Sequence, residues 1–189
     1  MTKDVFAKLS LHDPKPIDEA RINMLKQQIH TWDVFDTHIL DLFYKIDRED
    51  FVPDKYKSLA FADIQIPLNH DQSTMTPKEE ARVLQDLHIK NDDKVLLIGA
   101  DTGYLVTLLS HLGGLVYYIN SDLDNFEYVK EKVAAHKLPN VTMIMGNLNQ
   151  GWQDFLPFDV IILTGSLPHY SKKLENALAL HARLFVVVG

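Results

Sequence analysis

The sequence predicts an α/β protein with a doubly wound, mostly parallel sheet and an N-terminal helical cap. From Asp93 onward, short apolar runs alternate with stretches long enough for crossover helices, a rhythm typical of parallel strands covered on both faces. Before Asp93 the apolar residues recur mainly at helical spacing. The chain has 189 residues, which suits one core of ordinary size. We therefore expect a single domain, with a cap and substrate loop over 1–76 and the sheet core over 77–189.

The N-terminal third is predicted to be mainly helical. Asp36 has the residue type that caps a helix start, and Pro77 after Thr76 is the residue type preferred at the first helical position. A proline pushes the preceding residue towards extended geometry, which predicts extended segments around Pro53 and Pro67. In chain order we predict a helix over 17–32, a helix over 37–46, extended segments over 51–53 and 64–68, and a helix over 78–87.

Five apolar runs are candidates for buried parallel strands, and helical patterns separate most of them. The link after the third run is shorter than the others and has no clear pattern. The strand candidates are 95–98, 115–119, 141–145, 160–163 and 184–188, and the helix candidates are 104–112, 123–136 and 170–181.

The turn after the first predicted strand is the expected ligand crevice, because a doubly wound sheet binds ligands at the carboxyl ends of its strands. The run from Gly99 to Gly103 joins that strand to a helix start, where glycine lets the backbone approach a ligand and the helix offers free N–H groups. Asn120 ends the second strand about 20 residues later, near the spacing of a ribose contact, with Asp122 two places on. A nucleoside crevice and a purely steric glycine turn both remain open.

Composition excludes several other classes of function. The 19 basic and 26 acidic residues give a net charge of −7, which argues against a nucleic-acid partner. The chain has no cysteine, which fits a reducing compartment and makes the cytoplasm the expected location. No stretch approaches the roughly 20 apolar residues of a membrane span. The nine histidines are scattered without a metal-ligand spacing, so no metal is expected.

Short segments on both sides of the Gly99 turn form a longer pattern. They are Arg48–Pro53, Ala60–Asp63, Ile66–Leu68, Gln72–Pro77, Asn140–Val141, Gly146, Gly151–Trp152 and Phe158–Ile162. In this order and at this spacing they resemble the protein-L-isoaspartate O-methyltransferase family, over about Arg21 to Gly189. The resemblance implies a Rossmann-like S-adenosylmethionine-dependent methyltransferase fold. It also implies an enzyme that methylates the carboxylate of L-isoaspartyl residues in damaged proteins or peptides, which starts their repair.

The resemblance assigns a cofactor site and a substrate site. The implied cofactor-binding residues are Gly99, Ala100, Asp101, Gly103, Asn120, Ser121, Gly146, Asn147 and Leu148. The implied substrate residues are Gln72, Ser73, Thr74, Met75 and Thr76.

Several of these positions depart from the family's pattern. Leu97 stands where the family has an acidic residue, Asp101 replaces the middle glycine of the turn, and Asn120 and Asn147 replace carboxylates. A neutral acceptor is worth about half as much as a charged one, so we expect cofactor affinity to be weakened or lost. As a hypothesis, the carboxylate of Asp101 restores a negative charge for the cofactor's ammonium or sulfonium.

The substrate segment departs as well, since Met75 occupies the place of the serine that contacts the accepting carboxylate. That carboxylate has an ordinary pKa of about 4 and needs no general base, and Ser73, Thr74 or Thr76 would substitute if the loop shifts. Three functions therefore remain open. They are an isoaspartyl methyltransferase, a catalytically degenerate binding or scaffold protein, and a methyltransferase with a shifted substrate.

The last predicted strand is strongly apolar and stands at the end of the sequence, from Phe185 to Gly189. Relatives of the family continue with further strands that cover the sheet edge. An apolar edge is an aggregation hazard unless something pairs with it. We expect a homodimer or partner contact at this edge, or a chain shortened from a longer protein.

Overall fold

A computed structural model describes residues 19–69 and 72–189 of the chain. The centre of the fold is a five-stranded sheet in the order β3-β2-β1-β4-β5, and every neighbouring pair of strands is parallel. The parallel α/β architecture expected from the sequence is therefore confirmed. The strands are β1 (Lys94–Ile98), β2 (Leu115–Asn120), β3 (Val141–Met145), β4 (Phe158–Leu167) and β5 (Leu178–Val188).

Six α-helical segments surround the sheet in the described part of the chain. The first of them continues through a π-helical turn and a short 3-10 turn that ends at Trp32, so the helix expected over 17–32 is present from Glu19; Ile17 lies outside the described residues. The helices are α1 (Glu19–Asn23), α2 (Thr37–Lys45), α3 (Pro77–Leu87), α4 (Tyr104–Leu112), α5 (Leu123–Ala135) and α6 (Lys172–Glu175).

The predicted helix starts are built as their sequences indicate. The Asp36 side chain accepts hydrogen bonds from the amides of His38 and Ile39 at the start of α2. At the start of α3, Thr76 and Glu79 form a reciprocal capping box, which satisfies two amides that a helix start would otherwise leave unpaired.

One prediction of local structure was wrong at Phe51. Phe51 was expected to be extended, but it has φ −104° and ψ −22° and ends the 3-10 helix Arg48–Asp50. Asp47 caps that helix by accepting the Glu49 amide, whereas Pro53 restricts only the residue immediately before it. In the segment around Pro67, that residue forms an antiparallel bridge with Ser73, and the Thr74 amide donates to the Ile66 carbonyl.

The helix predicted over 170–181 was also wrong. Only α6, of four residues, forms there, and β5 begins at Leu178. The Phe158 amide donates to the Ala177 carbonyl, and Arg183 pairs in register with Val160. The backbone of this segment therefore pairs with β4. In the sheet its N–H and C=O groups form more hydrogen bonds than they would in a short surface helix.

Alternate residues of the strands face opposite sides of the sheet. One face packs against α2, α3, α4 and α5, and the other is covered by Trp152, Phe155 and Leu174. The first face carries Val95, Leu97, Val116, Tyr118, Val160 and Ile162, and the second carries Leu96, Ile98, Tyr117, Ile119, Ile161 and Leu163. The N-terminal helices share the first of these cores, which brings the segment after residue 72 to the carboxyl ends of the strands.

Candidate functional site

The turn between β1 and α4 is shaped by two glycines in left-handed backbone geometry. Gly99 has φ +118° and Gly103 has φ +92°, values that side chains rarely allow. A Cβ at Gly99 would come within 2.4 Å of Thr164 Oγ1, so the end of β4 fits closely against the turn. Thr164 Oγ1 also donates to the Ala100 carbonyl at 3.1 Å, which fixes the turn at the sheet edge where a ligand crevice was expected.

Asp101 turns its carboxylate into the start of α4. Oδ1 accepts from the Leu105 amide at 3.3 Å and Oδ2 from the Val106 amide at 3.0 Å, while only 2% of the residue is exposed. Burial raises the pKa of Asp101, and the hydrogen bonds from the Val106, Thr102, Leu105 and Gly103 amides oppose that rise. The carboxylate thus caps its own helix instead of facing an open crevice.

Asn120 is held in a buried network of amides. Its Nδ2 lies 2.5 Å from Asn125 Oδ1, 3.0 Å from the Tyr118 hydroxyl and 3.3 Å from the Gly99 carbonyl. Its Oδ1 accepts from the Asp122 amide at 2.8 Å. Only 3% of Asn120 is exposed. The side-chain NH₂ group at this expected ribose-binding position therefore already donates to groups of the protein.

The third part of the expected crevice follows β3. Gly146 donates its amide to the Asn120 carbonyl, and Asn147 bridges to Gln150 while its side chain accepts from the Asn149 amide at 2.8 Å. Leu148 is half-buried against the second core, and Ser121 is exposed. The structure therefore brings the residues at the ends of β1, β2 and β3 to one edge of the sheet, as the sequence predicted.

The predicted substrate segment runs beside that edge, and most of its polar side chains form hydrogen bonds with nearby groups of the protein. The Thr74 hydroxyl accepts the Ile66 amide at 3.0 Å, and Thr76 caps α3. Ser73 is half-buried and donates to Gln65 Oε1 at 3.2 Å. The side-chain Oε1 of Gln72 is buried with no hydrogen bond to any described residue. Ser73 is thus the more accessible of the three hydroxyls that were candidates to replace the serine.

A cavity of about 250 Å³ lies between Met75 of the segment and Thr164 at the end of β4. Met75 lines it on one side, and Thr164, whose hydroxyl contacts the Ala100 carbonyl, lines it on another. Its remaining apolar walls come from Trp32, Val83, Phe185 and Val187, and its polar walls from Gln65, Glu79 and Arg82.

A buried charge pair below Met75 was not predicted. Arg48 contacts Glu80 through its guanidinium and also reaches the Met75 carbonyl at 3.4 Å; both charged residues are 1% exposed. The pKa of Glu80 is raised to about 8, mainly by burial and in smaller part by Asp101, against the attraction of Arg48. The signal was present in the sequence, since Glu80 shares the apolar face of α3 with Leu84 and Leu87.

The described part of the chain shows neither a metal-binding cluster nor a membrane-spanning helix. Residues 19–69 and 72–189 contain no group of three or more His, Cys, Asp or Glu side chains placed to hold a metal ion. In that part of the chain no helix combines the length and the apolar character of a membrane span.

Comparison with known proteins gives a consistent family. The family model described as Protein-L-isoaspartate(D-aspartate) O-methyltransferase matches residues 19–189. A protein-L-isoaspartate O-methyltransferase of Protochlamydia amoebophila is 32% identical over 88% of this chain and 79% of its own length. One from Aeropyrum pernix is 30% identical over 95% of this chain and 70% of its own.

Solved structures agree on the fold. A protein-L-isoaspartate O-methyltransferase superposes with a TM-score of 0.76 at 24% identity, over 88% of this chain and 54% of its own. A Plasmodium falciparum structure described as a protein of this type, in complex with S-adenosyl-L-homocysteine, has a TM-score of 0.78 at 16% identity over 91% and 85% of the two chains. These values establish the Rossmann-like methyltransferase fold, and the family match spans all the described residues. The chain therefore belongs to the protein-L-isoaspartate(D-aspartate) O-methyltransferase family.

Proposed function

We propose that this chain transfers a methyl group from S-adenosylmethionine to the carboxylate of L-isoaspartyl residues in damaged proteins. The cavity between Met75 and Thr164 carries the proposal. Met75 of the predicted substrate segment lines it, and so does Thr164, whose hydroxyl donates to the Ala100 carbonyl of the β1–α4 turn. Family membership supplies the reaction class.

The residues at the sheet edge fit the nucleoside part of this cofactor better than its amino-acid part. Gly99, Ala100 and Leu148 are partly accessible and Ser121 is exposed, so backbone and apolar surface are available to a nucleoside. The buried carboxylate of Asp101 is bonded within the protein and does not face the amino-acid part, and the buried Asn120 side chain offers the ribose no free donor. When bound, the cofactor would supply the methyl group.

The chain's own contribution to such a reaction is to position the acceptor. An isoaspartyl carboxylate is ionised at neutral pH, so the chain need only hold it in line and exclude water. Met75, Val83 and Phe185 give the cavity apolar walls, and the Arg82 guanidinium at its polar wall is paired with Asp86. A catalytic base is not required.

The test is transfer of a labelled methyl group to a peptide that contains one isoaspartyl residue, compared with the same peptide containing aspartate. We expect label only in the isoaspartyl peptide, released by mild base as an ester would be. Incorporation into neither peptide at saturating cofactor would contradict the proposal.

Two alternatives have a specific observation in their favour. The committed amide of Asn120 favours a protein that keeps the fold without binding cofactor, and calorimetric titration with S-adenosylmethionine separates that case from an enzyme. Met75 in the cavity wall favours a methyltransferase with a more apolar substrate. Cofactor binding without ester formation on the isoaspartyl peptide would point to this second alternative.

The location and assembly of the chain are also proposals. Because the chain lacks cysteine, we propose a reducing compartment, the cytoplasm. The described sheet leaves one side of β5 without a neighbouring strand, and Val187 and Val188 are half-exposed; we propose that a second copy pairs there. Sedimentation velocity that gives only monomer over a wide concentration range would contradict the dimer.

A further inference from the structure

The amides at the start of α4 are occupied by a carboxylate of the same chain. A helix start of this kind is an anion-binding position, since its N–H groups have no partner within the helix. Here Asp101 takes the Leu105 and Val106 amides with one oxygen each. The two amides therefore already have acceptors from the same chain.

Asp101 is fixed in that place by its neighbours. The Asn125 side chain donates to the Asp101 carbonyl at 2.8 Å and faces its amide at 3.5 Å. Asn125 is in turn joined to Asn120 and Tyr118, and all four residues are buried. These bonds hold the Asp101 backbone, and moving its carboxylate aside would leave the Leu105 and Val106 amides without their acceptor, which is costly.

We infer that Asp101 acts as a built-in occupant of the anion position, so that this chain gains no affinity from the carboxylate in the amino-acid tail of its cofactor. The inference rests on the proposed function in taking that cofactor as the ligand. A tail carboxylate would meet the Asp101 oxygens instead of free amides. The helix start therefore adds nothing to the binding of the tail carboxylate.

The test is calorimetric titration with S-adenosylhomocysteine and with adenosine, which shares the nucleoside but has no tail. For the unaltered protein we expect the two dissociation constants to agree within about threefold, because each charged hydrogen bond gained by a tail would otherwise give about tenfold or more. Asp101→Gly is expected to tighten S-adenosylhomocysteine by about tenfold or more and to leave adenosine unchanged.

Asp124→Asn is the matched control, because it removes one acidic charge from the exposed first turn of α5 and touches no part of the network. It should change neither constant. Asp101→Ala also empties the position; if Asp101→Gly fails to fold, judged by its circular dichroism, Asp101→Ala is tested by the same criterion.

Two results would overturn the inference. One is an unaltered protein that binds S-adenosylhomocysteine at least tenfold more tightly than adenosine. The other is a folded Asp101 variant with no gain for S-adenosylhomocysteine. Both are binding results, so they are distinct from failure of the proposed function, which is read from ester formation on the isoaspartyl peptide.

Discussion

Arg48 and Glu80 contact each other across 32 positions of sequence in a place that water hardly reaches. An arginine cannot lose its charge in a protein, whereas Glu80, with its pKa raised to about 8 by burial, can take up a proton. The two partners are therefore unequal. Removal of the carboxyl leaves a buried charge, and removal of the guanidinium leaves a group that neutralises itself.

This inequality predicts the outcome of a double-mutant cycle. Glu80→Leu alone should lower the free energy of unfolding by about 3–5 kcal/mol, because Arg48 is left unpaired. Arg48→Met alone should cost less, and the double variant should recover most of the loss, since an apolar pair needs no compensation. Urea unfolding of the four proteins measures these values. A double variant less stable than Glu80→Leu would contradict the prediction.

The same carboxyl predicts a pH dependence. The pKa of Glu80 is higher in the folded protein than in the unfolded chain, so its contribution to stability is complete below about pH 4.5 and is lost as pH rises to about 8. Glu80→Gln cannot titrate. The difference in unfolding free energy between the unaltered protein and this variant should therefore shrink by a few kcal/mol over that window. A difference that is constant with pH would contradict the raised pKa.

The sequence predicted where the site residues lie in the fold better than it predicted where their side chains point. The turn at Gly99 and Gly103 could be predicted, because the alternation of strands and helices and the two glycines are visible in the sequence. The side chain of Asp101 does not follow, because spacing cannot say whether a carboxylate points into a crevice or onto its own helix. The Arg48–Glu80 contact joins segments far apart in the chain, and only the polar residue on an apolar helix face hinted at it.

At the scale of elements, the start of α3 also anchors the substrate segment. Thr76→Ala should lower the free energy of unfolding by about 1 kcal/mol, because the Glu79 amide loses its side-chain acceptor. Thr31→Ala is a suitable control, since that hydroxyl is exposed and bonds only to carbonyls of its own helix. Thermal or urea unfolding measures both. Equal effects for the two substitutions would mean that the capping box does not contribute.

Elements with local signals were predicted well, and elements decided by distant partners were not. The helices α2 and α3 start at caps that the sequence displays, and β1 is a buried run between turns. The segment 170–181 has helical composition, yet pairing with β4 converts its second half to strand. Phe51 follows a 3-10 helix because Asp47 caps it, a contact that outweighs the signal of the nearby proline.

The whole molecule is joined by contacts between the cap and the sheet layer. Phe43 of α2 packs edge to face on Tyr104 of α4, with ring centroids 5.6 Å apart. From α5, Tyr128 donates to the Phe51 carbonyl at 2.6 Å, and Lys132 donates to the Asp50 carbonyl at 2.7 Å. Because the N-terminal helices lie in the same buried cluster as β1 and β2, we predict that cap and sheet unfold together.

Phe43→Ala tests that cooperativity from the cap side. Phe43 is fully buried, so the substitution should lower the free energy of unfolding by about 3–5 kcal/mol. In a single unit, the hydrogen-exchange protection of the β1 amides, far from the substitution in sequence, should fall by the same free energy. Phe35→Ala is the matched control, because Phe35 is 56% exposed and its loss should cost well under 1 kcal/mol. If β1 keeps its protection while α2 loses it, the cap is an independent unit, and residues 1–76 would have to be treated as a separate domain.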